Sequence, residues 1–320
     1  MRRHKAVDEL IERTERQHRC MYGADDHLRR ALRRRHLRGE LVSPYRNVYA
    51  RAEYWKGLTA CQRSLCVARA LHARHPDWVF AGETALDAHD FDHPWAVHDR
   101  TVTIADPEGG SGRPARGEEG YALRRAYMPP VDAVTLAGIP VAPAEWVLVD
   151  CATRVPFLRS LPMFDAAIRK GTDMEQVRGL CRSLRRDCSA VDRVLRYANG
   201  KCENGGESLV YGVIVENGFP VPQFQEEFRS SGRTYRVDFL WRLSDGRTVV
   251  LEYDGMRKYV DPAMAGRKTV GQVVGDQLAR DRALAEFGVT TVLHCTYDDV
   301  FMQGPLVRML LDAGVPRFDG

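Results

Sequence analysis

Two alternating segments joined by a short polar turn constrain the fold more than any other part of this sequence. Apolar residues occupy every second position in residues 235–241, and residues 248–253 repeat the alternation. Between them, Ser244-Asp245-Gly246 suits a three-residue hairpin loop with its glycine in the left-handed conformation. The pattern predicts an antiparallel hairpin whose core face carries Tyr235, Val237, Phe239 and Trp241 from the first strand and Val249, Leu251 and Tyr253 from the second.

The turn also fixes which acidic residues face each other. It pairs Phe239 with Leu251, and therefore Asp238 with Glu252, while Asp254 follows on the same face. Directly opposed like charges destabilise a sheet, and a divalent cation between them removes that cost. The alternatives are a solvated acidic face or a neighbouring arginine that acts as counter-ion.

A third carboxylate is expected close by, on a helix over residues 203–217. Its apolar stripe runs through Val210, Tyr211 and Ile214, and Glu207 lies on the same face. A carboxylate on a buried stripe needs a partner. Added to the opposed pair, Glu207 favours a metal site over a solvated face.

This order of carboxylates resembles the PD-(D/E)XK nuclease superfamily. Glu207 and Asp238 precede residues 252–259, EYDGMRKY, which look like the E-x-D-G-x-x-K/H-Y signature of the branch related to very-short-patch-repair (Vsr) mismatch endonucleases. Residues 276–293 match the closing helix and strand of that branch, and His294 stands where it usually has arginine. The resemblance implies a restriction-endonuclease-like α/β domain with a mixed sheet.

The resemblance also implies roles for the residues. Asp238 and Glu252 would be the metal ligands for Mg²⁺ or Mn²⁺, and Glu207 would support them or orient a bound water. Asp254 occupies the place of the motif lysine. Lys258 is then either the substitute for that lysine or an ordinary surface residue.

The N-terminal segment is basic and helical. Residues 1–50 carry 13 Lys and Arg against 7 Asp and Glu, although the whole chain has a net charge of only +4. Helices over residues 4–17 and from Asp25 or Asp26, followed by two short strands, suggest a winged helix-turn-helix. Its expected nucleic-acid contacts are Arg29, Arg30, Arg33 and Arg34 on the second helix and Arg46 on the wing. The alternative is a solvated helix face.

These first residues also resemble a known family. The matching runs are residues 32–42, 47–50, 83–86, 138–141, 148–150 and 165–171. They resemble the winged helix and the following domain of AbiEi-type antitoxins from type IV toxin–antitoxin systems. The resemblance implies DNA as partner and a regulatory role. It identifies no partner toxin.

Four further polar residues have a structural interpretation beside a functional one. Asp150 and Asp165, in the middle segment, are expected to be capping or buried hydrogen-bonding carboxylates rather than catalytic groups. Asp276 and Arg280 lie at i and i+4 of the closing helix. They form either a structural ion pair or part of the site.

Together these patterns predict a multi-domain α/β protein: a winged helix over residues 1–75, an α+β domain over 76–198 and the nuclease-like domain over 199–320. No apolar run is long enough to span a bilayer, and the first residues do not resemble a signal peptide, so a cytoplasmic protein without membrane contact is expected. The eight cysteines contain no CxxC pair, and we expect reduced core thiols and no zinc site.

The function expected from these features is DNA-binding and divalent-metal-dependent phosphodiester hydrolysis, in a defence role against phage or mobile elements. Double-stranded DNA is the favoured substrate over RNA. The alternative is an antitoxin-type DNA-binding regulator whose nuclease fold has lost catalysis. Metal-dependent cleavage distinguishes the two.

Overall fold

The protein is a mixed α/β structure that forms two compact units. A computed structural model describes residues 5–109, 120–230, 233–255 and 270–318, with a two-stranded, a four-stranded and a five-stranded sheet. The first unit comprises Met1–Pro156 and Lys170–Arg196, and the second comprises Phe157–Arg169 and Tyr197–Gly320. Division of the first unit into a winged helix and a middle domain stays a prediction.

The basic N-terminal segment of the first unit forms helices and a hairpin. Its elements are α1 (Lys5–Arg16), α2 (Asp26–Leu37), β1 (Leu41–Tyr45), β2 (Val48–Arg51), α3 (Ala52–Lys56) and α4 (Ala60–His72). The Asp25 side chain caps α2 by accepting the Leu28 N–H. Ala31 and Leu32 are buried on the apolar face of α2, in a core shared with Val7. Strands β1 and β2 pair antiparallel.

The rest of the first unit is built around the five-stranded sheet. Along the chain follow β3 (Phe80–Ala81), α5 (Gly82–His89), a 3₁₀ turn (Trp95–Val97), β4 (Thr101–Asp106), β5 (Ala122–Tyr127), β6 (Val134–Leu136), β7 (Ile139–Val141), α6 (Ala144–Ala152), α7 (Phe157–Arg169), α8 (Met174–Ser183) and α9 (Ser189–Tyr197). The strand order is β5-β4-β3-β7-β6, and helix α7 belongs to the second unit.

The two aspartates of the middle segment are structural, which confirms that interpretation. Asp150 is buried and its Oδ2 accepts hydrogen bonds from Arg124 at 2.7 Å and Arg154 at 3.0 Å. Asp165 is fully buried, and its Oδ1 accepts the backbone N–H groups of residues 199–200 at 2.9 and 3.0 Å. Both carboxylates thus fix local structure.

The second unit is a four-stranded mixed sheet with helices packed against it. Its elements after α9 are α10 (Gly205–Glu216), β8 (Gln223–Ser230), β9 (Arg233–Arg242), β10 (Thr248–Asp254), α11 (Val270–Glu286), β11 (Thr291–Thr296), α12 (Tyr297–Met302) and α13 (Gly304–Asp312). The strand order is β11-β10-β9-β8, with β8, β9 and β10 antiparallel and β11 parallel to β10. Among the described residues, none of the helices has the length and apolar character needed to span a bilayer.

Candidate active site

The hairpin of the second unit has the predicted register. The Leu243 N–H donates to the Arg247 carbonyl at 2.8 Å, and Gly246 has a φ of +88° in the turn. Phe239 and Leu251 are partners across the two strands. The register prediction is confirmed up to this pair, which brings Asp238 and Glu252 to the neighbouring position.

Regular pairing stops at Asp238. On the other side of β9, Phe224 pairs with Phe239 and Glu226 with Val237, but Gln225, opposite Asp238, has a φ of +54°. A left-handed residue other than glycine inside a strand is strained and redirects its side chain. The site is therefore built on an interruption of the sheet.

The interruption corrects the predicted core face of β9. Phe239 packs against Phe224, which contacts Tyr211 of α10, with ring centroids 5.8 and 4.9 Å apart respectively. Val237 instead joins the cluster that contains Leu284 of α11. The strand changes face at Asp238, so the four residues predicted to share one face are divided between two. Helices cover both faces of the sheet.

Asp238 lies where the ladder ends. Its Oδ2 accepts the backbone N–H of Tyr253 at 2.8 Å, in place of a backbone carbonyl. Tyr253 faces α10, since a Cβ added at Gly206 would lie 2.2 Å from its ring. Glycine at that position lets the start of α10 approach the end of β10, and this approach brings Glu207 towards the hairpin.

Glu207 is held at the first turn of α10. Asn204 caps the helix with its side-chain oxygen, which accepts the N–H groups of Gly206 and Glu207. The buried Glu207 carboxylate in turn accepts the Glu203 N–H at 2.7 Å, the Asn204 amide at 2.5 Å and the Gln225 amide at 3.0 Å. The strained Gln225 therefore connects the sheet interruption to this carboxylate.

The environment of Glu207 disfavours its ionised form. Burial, together with the nearby negative charges of Asp238 and Glu203, raises the pKa of Glu207 to about 7, against the lowering effect of its hydrogen bonds. Two acidic groups thus lie close enough to repel each other in a largely buried position. A cation bound there would remove this repulsion.

Glu252 has a different partner. Its carboxylate forms an ion pair with Arg280 of α11, whose Nη2 and Nε lie 2.8 and 3.0 Å from Oε1. Arg280 also donates to the carbonyl of Arg236. Arginine as counter-ion was one of the alternatives for this face, and Arg280 takes that place beside Glu252. Its predicted pairing with Asp276 stays a prediction.

Asp254, which occupies the position of the motif lysine, lies in a group of two aspartates and one histidine. Asp254 is buried, and its Oδ2 lies 3.3 Å from His294 Nδ1, while Asp281 Oδ1 lies 3.3 Å from His294 Nε2. The contact with Asp254 and the charge of Asp281 raise the pKa of His294, against the effect of burial. Lys258 lies outside the described residues, so its predicted role stays a prediction.

The carboxylates lie near one another in the fold but are not arranged as a preformed metal site. In the part of the chain that the structure describes, the side chains of Glu207, Asp238, Glu252 and Asp254 do not place three ligand atoms within 4.8 Å of one another. Cation binding by this group would require Glu252 to turn away from Arg280. The assignment of Asp238 and Glu252 as metal ligands stays a prediction.

The arginines predicted to contact nucleic acid are all exposed. Arg29 is paired with Asp26 at 3.3 Å, and Arg30 donates to the Asp26 carbonyl. Arg33 and Arg34 are exposed on α2, and Arg46 is exposed at the hairpin turn. Within the described residues these last three side chains form no ion pair, as expected of a surface that is available to phosphate.

Two site residues were not identified from sequence. Asn204 could have been found, because asparagine is among the residues preferred at a helix N-cap and it lies shortly before the predicted helical stripe. Gln225 could not, because its role depends on the left-handed φ that tertiary packing imposes on β8. Neither residue carries a charge that would mark it as a candidate.

Comparison with known proteins gives few relatives. Two curated relatives, both uncharacterized proteins of Mycobacterium tuberculosis (strains CDC 1551 / Oshkosh and ATCC 25618 / H37Rv), are 32% identical over 127 residues, which is 38% of this chain. The chain spans 45% of the length of these relatives. No family model matches the chain, and no solved structure matches it significantly.

Proposed function

We propose that the second unit is a divalent-metal-dependent endonuclease domain of the PD-(D/E)XK type, and that the first unit contributes DNA binding. The observation that carries this proposal is the position of Glu207, a buried carboxylate beside Asp238 at the interruption of the sheet, with its pKa raised to about 7. Perturbed carboxylates of this kind concentrate at functional sites.

The topology supports the same proposal. The motifs that resemble that superfamily lie in order on helix α10, the antiparallel strands β9 and β10, helix α11 and the parallel strand β11. Asp238 lies within β9 where its pairing with β10 stops, and Glu252 and Asp254 lie at the end of β10. Fold alone does not establish function, so the argument depends on the carboxylates.

The residues would act as follows. Asp238 and Glu252 would hold Mg²⁺ or Mn²⁺, and Glu207 would orient a water next to them. The cation would lower the pKa of its bound water and neutralise charge on the phosphate. Arg280 would leave Glu252 and become available to a phosphate oxygen. Exposed Arg33, Arg34 and Arg46 would bind the DNA backbone independently of sequence.

The experiment is cleavage of supercoiled plasmid by the full-length protein with Mg²⁺ or Mn²⁺, and with EDTA as control. We expect nicked or linear DNA only with metal, and loss of cleavage in Asp238→Asn and Glu252→Gln. Asp245→Asn, an acidic residue exposed in the hairpin turn, is the matched control and should cleave normally. Cleavage by Asp238→Asn at the wild-type rate would contradict the proposal.

A second candidate function rests on the ion pair between Glu252 and Arg280. This pair neutralises the carboxylate without a metal, and Asp254 stands at the motif lysine position. Both features favour a DNA-binding regulator of antitoxin type with an inactive nuclease fold. The regulator predicts specific DNA binding that added Mg²⁺ or Mn²⁺ does not change, and no cleavage of DNA or RNA with any divalent metal.

A further inference from the structure

A second group of potential ligands lies in the first unit, where the sequence analysis expected none. Cys61, Asp87, His93 and His98 each direct one ligand atom to a common point, and these atoms all lie within 4.8 Å of one another. The two histidine side chains are 3% and 6% exposed, and the Asp87 side chain is fully buried. The group is therefore part of the interior.

Three of the five separations between these atoms lie in the range of a tetrahedral metal site, and the other two lie within about 0.4 Å of it. The two Nε2 atoms of His93 and His98 are 2.9 Å apart, and each lies 3.3 Å from Asp87 Oδ1. Cys61 Sγ lies 3.9 Å from His93 Nε2 and 3.5 Å from His98 Nε2. Ligands on a tetrahedral Zn²⁺ with bonds of 2.0–2.3 Å are about 3.3–3.8 Å apart.

Hydrogen bonding alone leaves the group unsatisfied. His93 Nδ1 lies 2.6 Å from the Phe91 carbonyl, and donation of its proton there directs the Nε2 lone pair at the cluster. Neither oxygen of Asp87 accepts a hydrogen bond of normal geometry within the described residues. Such a buried carboxylate needs a positive partner.

The sequence positions the thiol as a metal ligand. Thr59 caps α4, so Cys61 lies in the first turn, where the helix dipole favours the thiolate. A thiolate and a carboxylate balance the charge of one divalent ion.

We propose that Cys61, Asp87, His93 and His98 bind one structural Zn²⁺ that joins the start of α4 to α5 and to the segment before β4. Thiolate, imidazole and carboxylate together are the ligand set that Zn²⁺ prefers. The contact between His93 and the Phe91 carbonyl is the outer hydrogen bond that usually orients a zinc-bound histidine. Four protein ligands leave no open position, which indicates a structural role rather than catalysis.

The test is the metal content of the full-length protein, purified without a polyhistidine tag or chelators. We expect about one zinc per chain. Replacement by Co²⁺ should give the visible bands of tetrahedral cobalt and a thiolate-to-cobalt charge-transfer band. Cys61→Ser should lose the charge-transfer band, whereas Cys188→Ser, which also removes a half-buried thiol of the first unit, should keep it.

Selective alkylation tests the same site in the wild-type protein, so its result does not depend on whether a variant folds. Bound zinc should slow alkylation of Cys61 by at least about tenfold, because the thiolate is both the nucleophile and the ligand. A chelator should abolish this protection. Wild-type protein without zinc or a tetrahedral cobalt spectrum would overturn the proposal. So would a Cys61→Ser variant that retains one zinc, or Cys61 alkylation that metal does not change.

Discussion

The substitution Glu207→Gln tests the electrostatics of the candidate active site. Glu207 is 5% exposed, and its pKa rises from 4.5 to about 7 on folding. Since one pKa unit is worth about 1.4 kcal/mol, ionising this carboxyl costs about 3 kcal/mol of folding stability. The raised pKa means that the folded protein binds the proton more tightly, so stability falls between about pH 4.5 and pH 7 and is constant above.

Glutamine removes this dependence because it stays neutral. Its amide cannot accept all three hydrogen bonds that the carboxylate accepts, and the lost bond costs about 1 kcal/mol at every pH. Relative to wild type, Glu207→Gln should therefore gain about 3 kcal/mol in the free energy of unfolding between about pH 4.5 and pH 8. Urea unfolding of metal-free protein at both pH values measures this difference.

The matched control is Glu216→Gln, which removes one exposed negative charge from the same helix. Addition of Mg²⁺ or Mn²⁺ at pH 8 should stabilise wild type more than Glu207→Gln, because a cation removes the repulsion with Asp238. A Glu207→Gln difference that is the same at both pH values would refute the reasoning.

Three further predictions follow from other parts of the molecule. Phe239→Ala should lower the free energy of unfolding by about 3–5 kcal/mol, because it removes a fully buried ring and opens a cavity beside Phe224. A loss below about 1 kcal/mol in a denaturant titration would contradict the packing described. Asp150→Asn should cost about 2 kcal/mol, because it removes one of the two carboxylates, Asp150 and Glu83, that neutralise Arg124 and Arg154. Thermal unfolding measures the loss, and wild-type stability would show that this ion pair does not hold the fold. The double substitution Arg33→Ala with Arg34→Ala should leave folding intact. It should reduce the slope of log affinity for DNA against log salt concentration by about 2, because two phosphate contacts are lost. Fluorescence anisotropy at several salt concentrations measures this slope, and an unchanged slope would assign α2 another role.

The parts of the fold that could be predicted from the sequence are those determined by local interactions, such as turns and helix caps. The hairpin register followed from the Ser244-Asp245-Gly246 turn, and the start of α2 was predicted at Asp25 or Asp26, where Asp25 caps the helix. The change of face at Asp238 was not predictable, because it depends on the left-handed φ of Gln225 in another strand. Alternation rules assume that pairing is continuous.

The candidate sites show the same division. The order of the acidic residues could be read from the hairpin, but the partner of Glu252 could not, since Arg280 reaches it only through the packing of α11. The cluster around Cys61 was missed because zinc ligands were expected in close cysteine pairs. Asp87, His93 and His98 are near one another in sequence, and this spacing was the signal available.

The most direct test of the central claim is a count of divalent ions bound by the hairpin carboxylates. Electron paramagnetic resonance of Mn²⁺ titrated into the full-length protein, with its zinc content determined beforehand, reports free Mn²⁺ and hence the bound fraction. We predict saturable binding by wild type that Asp238→Asn and Glu252→Gln both abolish and Asp245→Asn leaves unchanged. Equal Mn²⁺ binding by wild type and Asp238→Asn, or none by wild type with DNA present, would contradict the account.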